Sequence, residues 1–204
     1  MDRNHITKEL ERLVEDACAA APDRFGIDFY TDYILLGRDY AFALARIIEA
    51  DEFIIGAAAL LHTLGELKAR DGAEVTPTIV AGAASAELKR LELARGDLDR
   101  VMECIATCGK PVWRGEASAE AVCLSNGLAM AVIARPALWL RHAFIVRGMG
   151  YRDGCAWLLD WYERLWNGLV DEGLTISATD YRAARRVLSM ATALPGTAEL
   201  ESLE

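Results

Sequence analysis

Nine consecutive residues, Phe53-Ile54-Ile55-Gly56-Ala57-Ala58-Ala59-Leu60-Leu61, carry no polar side chain, and the run ends abruptly on His62-Thr63-Leu64-Gly65-Glu66. A helix that is apolar on every side has no face to give to water, so it must lie at the centre of a fold with other helices against several of its faces. The run is far shorter than the roughly 20 residues needed to cross a bilayer. It predicts a central helix that ends, still buried, on a histidine.

Elsewhere the hydrophobic pattern has the helical period, and no segment alternates long enough to make a half-buried strand. Ile6, Leu10, Leu13, Val14 and Ala17 form a first stripe, closed by Pro22. A second helix from about Asp28 carries Tyr33, Leu36, Tyr40, Leu44, Ile47 and Ile48. Residues 65–75 read as a charged, glycine-containing connection. Thr76-Pro77 then supplies a cap and a first-turn proline for a helix to about Leu93. Gly96-Asp97 restarts the chain, and Leu98, Val101, Met102 and Ile105 make the next stripe up to Gly109-Lys110-Pro111. Ser118 caps a helix containing Leu124, Leu128 and Val132, which Arg135-Pro136 breaks. Helices at about 136–146, 153–170 and 179–192 follow. The expectation is an all-α, compact multi-helix bundle forming one domain over residues 1–194, with an acidic, frayed tail over 195–204.

Charge and cysteine usage narrow the functional classes. The 22 Lys and Arg against 31 Asp and Glu leave a net charge of −9, which repels phosphate backbones and anionic lipid over most of the surface, so duplex nucleic acid and membranes are not expected partners. The five cysteines are odd in number and fall inside apolar helical patterns, which reads as reduced, buried thiols. The first residues are polar and lead into an amphipathic helix, so no signal peptide is read. A soluble protein of the reducing cytoplasm is expected.

Several segments, taken together, resemble the HD-domain family of metal-dependent phosphohydrolases. The apolar run ending on His62-Thr63 resembles its signature helix, which ends in His-Asp before a Gly. Asp51-Glu52-Phe53-Ile54-Ile55-Gly56, then Val101 to Cys108, Arg114-Gly115, and Glu120 to Asn126 follow the small stand-alone branch of that family in order and spacing, over roughly residues 25 to 150. The resemblance implies an HD-like helical bundle with a pocket beneath the histidine. It also implies a ligand set that this chain has altered. The family's upstream histidine falls at Asp32, with Asp39 as second choice, and the acid of the His-Asp pair is Thr63. The distal acid falls at Asn126, or at Leu128 on the other reading of its Asp-x-Asp motif. Histidines of the intervening helices fall near Pro77 and at Cys104 or Cys108.

A neutral hydroxyl does not supply the negative oxygen that holds a divalent ion, and activation of a metal-bound water needs three or more protein ligands with their supporting shell. Asp32, His62 and Asn126 are the weak metal candidates, and no cofactor is expected, although a divalent metal is the alternative. A thiophilic site on Cys104, Cys108, Cys123 and His62 is a further spacing-only reading. The expected function is therefore a non-catalytic small-molecule-binding or regulatory protein. Its pocket takes a small anionic or nucleotide-like ligand through Asp32, His62, Thr63, Cys108, Lys110, Asn126 and Arg141, with Arg114 at the mouth. Two alternatives stay open. One is a phosphohydrolase on a noncanonical Asp32, His62 and Asn126 site, or a metal-free acid/base reaction of His62 with Asp32 or Glu66. The other is a structural homodimer or partner subunit whose interface is the aromatic face Trp157, Trp161, Tyr162 and Trp166. Core packing competes for those aromatics. Arg135, Arg141, His142, Arg147 and Arg152 form a cationic group around the same region.

Overall fold

The computed structural model describes residues 2–22, 28–69, 76–110, 112 and 115–193, and among these it contains helices and no strand. α1 (Arg3–Ala19) buries Ile6, Leu10 and Val14 of the expected stripe together with Cys18, while Leu13 and Ala17 are half-buried. A π-helical turn, Tyr30–Leu35, runs without a break into α2 (Leu36–Ile48). α3 (Glu52–Leu61) starts on Asp51, whose carboxylate accepts from the Phe53 backbone N–H at 3.0 Å. Every residue of α3 from Ile54 to Leu61 is buried, against α1, α2, α6 (Arg95–Thr107) and α7 (Ala119–Ala134). The apolar run is the central helix that its composition demands.

α4 (Leu64–Lys68) and α5 (Pro77–Arg90) lie between α3 and α6 in the chain. α8 (Pro136–Arg141) passes into a second π-helical turn, His142–Val146, and α9 (Tyr151–Asn167) and α10 (Asp171–Ala193) complete the bundle. Thr76 and Ser118 cap α5 and α7 as expected, accepting from Ile79 N and Ala121 N, each at 3.4 Å. α2 packs closely on α7, because glycine removes the side chains between them. A Cβ on Gly127 would lie 2.5 Å from the Gly37 carbonyl oxygen and 2.6 Å from Ala41 N.

Two boundaries differ from the sequence reading. The expected connection after Gly65 opens with the short helix α4, because Leu64, Gly65 and Leu67 point inward. Gly65 lets α5 approach so closely that a Cβ there would sit 2.5 Å from Val80 Cα. α10 begins at Asp171, well before the expected start near Thr179, since the Asn126 side chain accepts from Val170 N at 2.8 Å and so caps the helix from another element. Arg114, residues 70–75 and the acidic tail lie outside the described residues.

The core has two clusters. One gathers around α1, α3, α5 and α6, the other around α2, α7, α9 and α10, and Tyr33 and Trp139 pack against both. At one end an ion network ties helix starts together. Arg3 meets Asp51 at 3.2 Å and Asp97 at 2.9 Å, while Arg100 meets Asp51 at 3.3 Å and the buried Glu120 at 2.6 Å. No single helix among the described residues is long and apolar enough to cross a membrane. By length and composition alone, α7 with Pro136–Val146 passes only as a pair bent by 79°.

Candidate functional site

A cavity of about 820 Å³ opens where α3 gives way to α4, at the seam between the two core clusters. Its lining brings together five of the sequence candidates: His62, Thr63 and Glu66 from the α3–α4 corner, and Cys108 and Lys110 from the end of α6. The opposite wall is aromatic, from Phe29, Tyr33, Trp139 and His142. Tyr33 meets the Trp139 ring edge-on at 5.1 Å, and Trp139 in turn meets Trp161 at 5.0 Å. These contacts hold the wall rigid from both core clusters.

His62 closes the end of α3 and is 8% exposed. Its Nδ1 lies 2.7 Å from the Ala59 carbonyl, and its Nε2 lies 3.2 Å from the Tyr33 hydroxyl. A carbonyl oxygen only accepts, so Nδ1 carries the proton and Nε2 accepts from Tyr33 O–H. Burial pushes the His62 pKa down to about 4, against the opposing pull of the Ala59 carbonyl, so the ring is neutral at pH 7. Burial likewise raises the Tyr33 pKa, with the Cys108 and Glu66 charges adding to it, which keeps the hydroxyl protonated as a donor.

Beside this satisfied pair lie two unsatisfied groups. Thr63, 6% exposed, has a buried Oγ1 with no hydrogen-bond partner, and Trp139 Nε1 is likewise buried without one. Each such group costs about 1–3 kcal/mol. The thiols are held in the protonated form. Cys108 donates to the Cys104 carbonyl at 3.4 Å, and burial pushes both thiols up to about 12.

The other candidates sit elsewhere. Asp32 points to Arg135, Oδ1 to Nε 3.1 Å, and does not line the cavity; Asp39 is exposed and lies 3.6 Å from Arg38 Nε. Asn126 is buried and turned to structural work. Its Nδ2 donates to the Val122 carbonyl at 2.9 Å while its Oδ1 caps α10. It borders a smaller cavity of about 260 Å³, which shares Tyr33, Gly109 and Lys110 with the larger one. Arg141 is half-buried and stands one residue before the lining residue His142. Cys123 belongs to the second core cluster and Cys104 to the first. Among the described residues no three His, Cys, Asp or Glu side chains are grouped to hold a metal ion.

The aromatic face of α9 makes its contacts within the bundle, with Tyr162 buried and Trp157, Trp161 and Trp166 half-buried. Tyr162 is fully buried and donates to the Val132 carbonyl at 2.7 Å, Trp166 stacks on Tyr181 at 4.1 Å, and Trp161 meets Trp139. Arg147 lies over the Trp157 ring at 4.6 Å.

Sequence reasoning missed the role of Tyr33. Counting back thirty residues from His62 selects Asp32, but the π-helical turn presents the next residue to the imidazole. The available signal was a tyrosine in an apolar stripe, since a buried phenol needs a hydrogen-bond partner. No protein-family model, curated protein or solved structure matches the chain.

Proposed function

We propose that this protein is a non-catalytic small-molecule-binding protein, and that its resemblance to the HD-domain phosphohydrolases is one of architecture without their metal chemistry. The observation that carries this reading is the state of His62. A metal-ligating histidine donates one ring N–H to a carbonyl and turns its other nitrogen to the ion. His62 makes the carbonyl bond through Nδ1, and the Tyr33 hydroxyl occupies Nε2. The remaining ligand positions support the same reading, since Asp32 is paired with Arg135 and Asn126 is spent on backbone groups.

The cavity lies within the size range of sites for small organic ligands, about 300–1,000 Å³. Its aromatic wall favours a planar ring. Lys110 is the one Lys or Arg among its described lining residues, which suits a single anionic group rather than a polyphosphate. The ligand class is a planar heteroaromatic ring carrying one anionic group, with a nucleoside monophosphate as its representative.

Calorimetric titration with AMP, adenosine and inorganic phosphate, beside a phosphatase and phosphodiesterase screen under Mg²⁺, Mn²⁺ and Zn²⁺, tests the proposal. AMP is expected to bind more tightly than either fragment, to lose affinity in Lys110→Ala, and to remain intact. Metal-dependent turnover abolished by His62→Ala overturns the non-catalytic reading.

A further inference from the structure

The smaller cavity, of about 260 Å³, has walls that differ in kind from those of its neighbour. It is a groove between α7 and α9, which run antiparallel: Tyr162 donates to the Val132 carbonyl at one end, and Asn126 accepts from Val170 N, just past α9, at the other. On the α7 side it runs from Ser125 to Val132, two helical turns, about 10 Å. Leu128, Val132 and Leu169 are buried along it, and Leu165 is half-buried beside them. Ala129 and Gly168 leave width between these larger side chains. The charged groups stand at its mouth. Ser125 Oγ donates to the Lys110 carbonyl at 2.6 Å, which anchors Lys110 at the Asn126 end, and Arg164 stands on the α9 rim. Both cations are exposed. No Asp or Glu is among the described lining residues, and no described carboxylate pairs with Lys110. Arg164 meets Asp160 of the same helix at 2.6 Å, with both side chains 64% exposed, a pairing that water largely screens. In a chain of net charge −9, two cations over an apolar groove free of carboxylates are a local reversal of sign.

We propose that this groove is a second ligand site, for a medium-chain aliphatic carboxylate whose chain lies between α7 and α9 and whose carboxylate meets Lys110 and Arg164. The volume falls just short of the range usual for drug-sized ligands, about 300–1,000 Å³, which selects a slim molecule. Branched aliphatic walls two turns long fit an extended alkyl chain, which gains by burying its methylene groups against them. A planar ring finds its aromatic wall in the larger cavity instead. An ammonium and a guanidinium at the mouth match one carboxylate, the guanidinium through paired N–H donors. The site does not depend on the nucleotide proposal. The two cavities do share Lys110, so substitutions that fill one cavity or the other are what tell the sites apart.

Calorimetric titration of the full chain with octanoate, octanol and octylamine tests the site, beside intermolecular NOE measurements on the octanoate complex. Octanoate is expected to bind at one equivalent, at least tenfold more tightly than the alcohol or the amine, with NOEs from its chain to the Leu128 and Leu165 methyl groups. Lys110→Gln, and Ala129→Phe filling the groove, are each expected to weaken it at least tenfold. Ala106→Phe, which narrows only the larger cavity, is expected to leave it unchanged. Absence of octanoate binding overturns the proposal, and so does uptake of several equivalents, which marks adsorption to apolar surface. Octylamine binding as tightly as octanoate removes the role of the two cations and overturns it too. NOEs to the Trp139 ring in place of Leu165, or loss of binding in Ala106→Phe with none in Ala129→Phe, overturn it by placing the carboxylate in the larger cavity. The NOEs are read on the unsubstituted chain, so they decide the question even where the circular dichroism spectrum shows Ala129→Phe to be misfolded.

Discussion

The Tyr33 hydroxyl donates to Nε2 of His62 across 3.2 Å and closes the ring nitrogen that the Ala59 carbonyl leaves open. His62 is buried and Tyr33 half-buried against both core clusters, so the bond fixes the tautomer of the histidine and the floor of the cavity together. Tyr33→Phe removes the donor while keeping the ring. It is expected to destabilise the fold by about 1 kcal/mol and to raise the His62 pKa above about 4, because a bond that favours the neutral imidazole is lost. An imidazole NMR titration unchanged from the parent protein would show that the hydroxyl does not hold the ring.

The pH dependence of stability follows from the same histidine. In the unfolded chain His62 takes a proton near its ordinary value of 6.5; in the folded protein it resists until about 4. Between these values the unfolded state binds more protons, so stability is fully present above about pH 6.5 and falls as the pH drops toward 4, by up to about 3 kcal/mol. Burial lowers the His142 pKa as well, which adds loss in the same direction. Urea midpoints across this window should decline in the parent and decline less in His62→Gln.

The fold was legible in the sequence wherever one local signal determined it. The all-apolar run made α3 central, the caps at Thr76 and Ser118 set two helix starts, and Pro136 set a break. The early start of α10 was not legible, because its cap comes from Asn126, far away in the chain. The site divided in the same way. His62 and Thr63 follow the end of α3, Glu66 lies in the short α4 next to it, and Cys108 and Lys110 follow the end of α6, so packing those helices together brings them to one cavity. Asp32 did not follow, since a π-helical turn changes which residue faces inward, and nothing in hydrophobic spacing announces a π turn.

Thr63 occupies the position where the resemblance calls for an acid, and its buried hydroxyl is unsatisfied. Thr63→Val keeps the shape and removes the orphan group, so it is expected to be neutral or to stabilise by about 1 kcal/mol. Thr63→Asp is expected to destabilise by about 2 kcal/mol or more, as a carboxylate at a buried position, and to bring in no stoichiometric Mn²⁺, because Asp32 and Asn126 are engaged elsewhere. Thermal melts and elemental analysis of the two variants check both outcomes.

Asn126 joins α7 to α10 by one donated and one accepted bond, each to backbone. Asn126→Ala leaves Val170 N–H buried without a partner, at an expected loss of about 2 kcal/mol. The loss should concentrate in the first turns of α10, where amide hydrogen exchange would speed more than in α3. A uniform change across all helices would mean that the side chain caps nothing.

The packing of α2 on α7 rests on Gly127 having no side chain. A methyl group there would lie 2.5 Å from the Gly37 carbonyl and 2.6 Å from Ala41 N, and both obstacles are backbone that moves only if the helices separate. Separation would loosen the second core cluster along with the wall carrying Tyr33, so Gly127→Ala is expected to cost about 3 kcal/mol or more, and to weaken ligand binding in step. Gly82 is the matched control. It sits inside α5 with nothing within 4 Å of an added methyl, so Gly82→Ala should stabilise by about 0.5–1 kcal/mol through helix propensity alone. If chemical denaturation gave both substitutions the same sign, the close approach of α2 and α7 would not be the constraint that fixes this bundle.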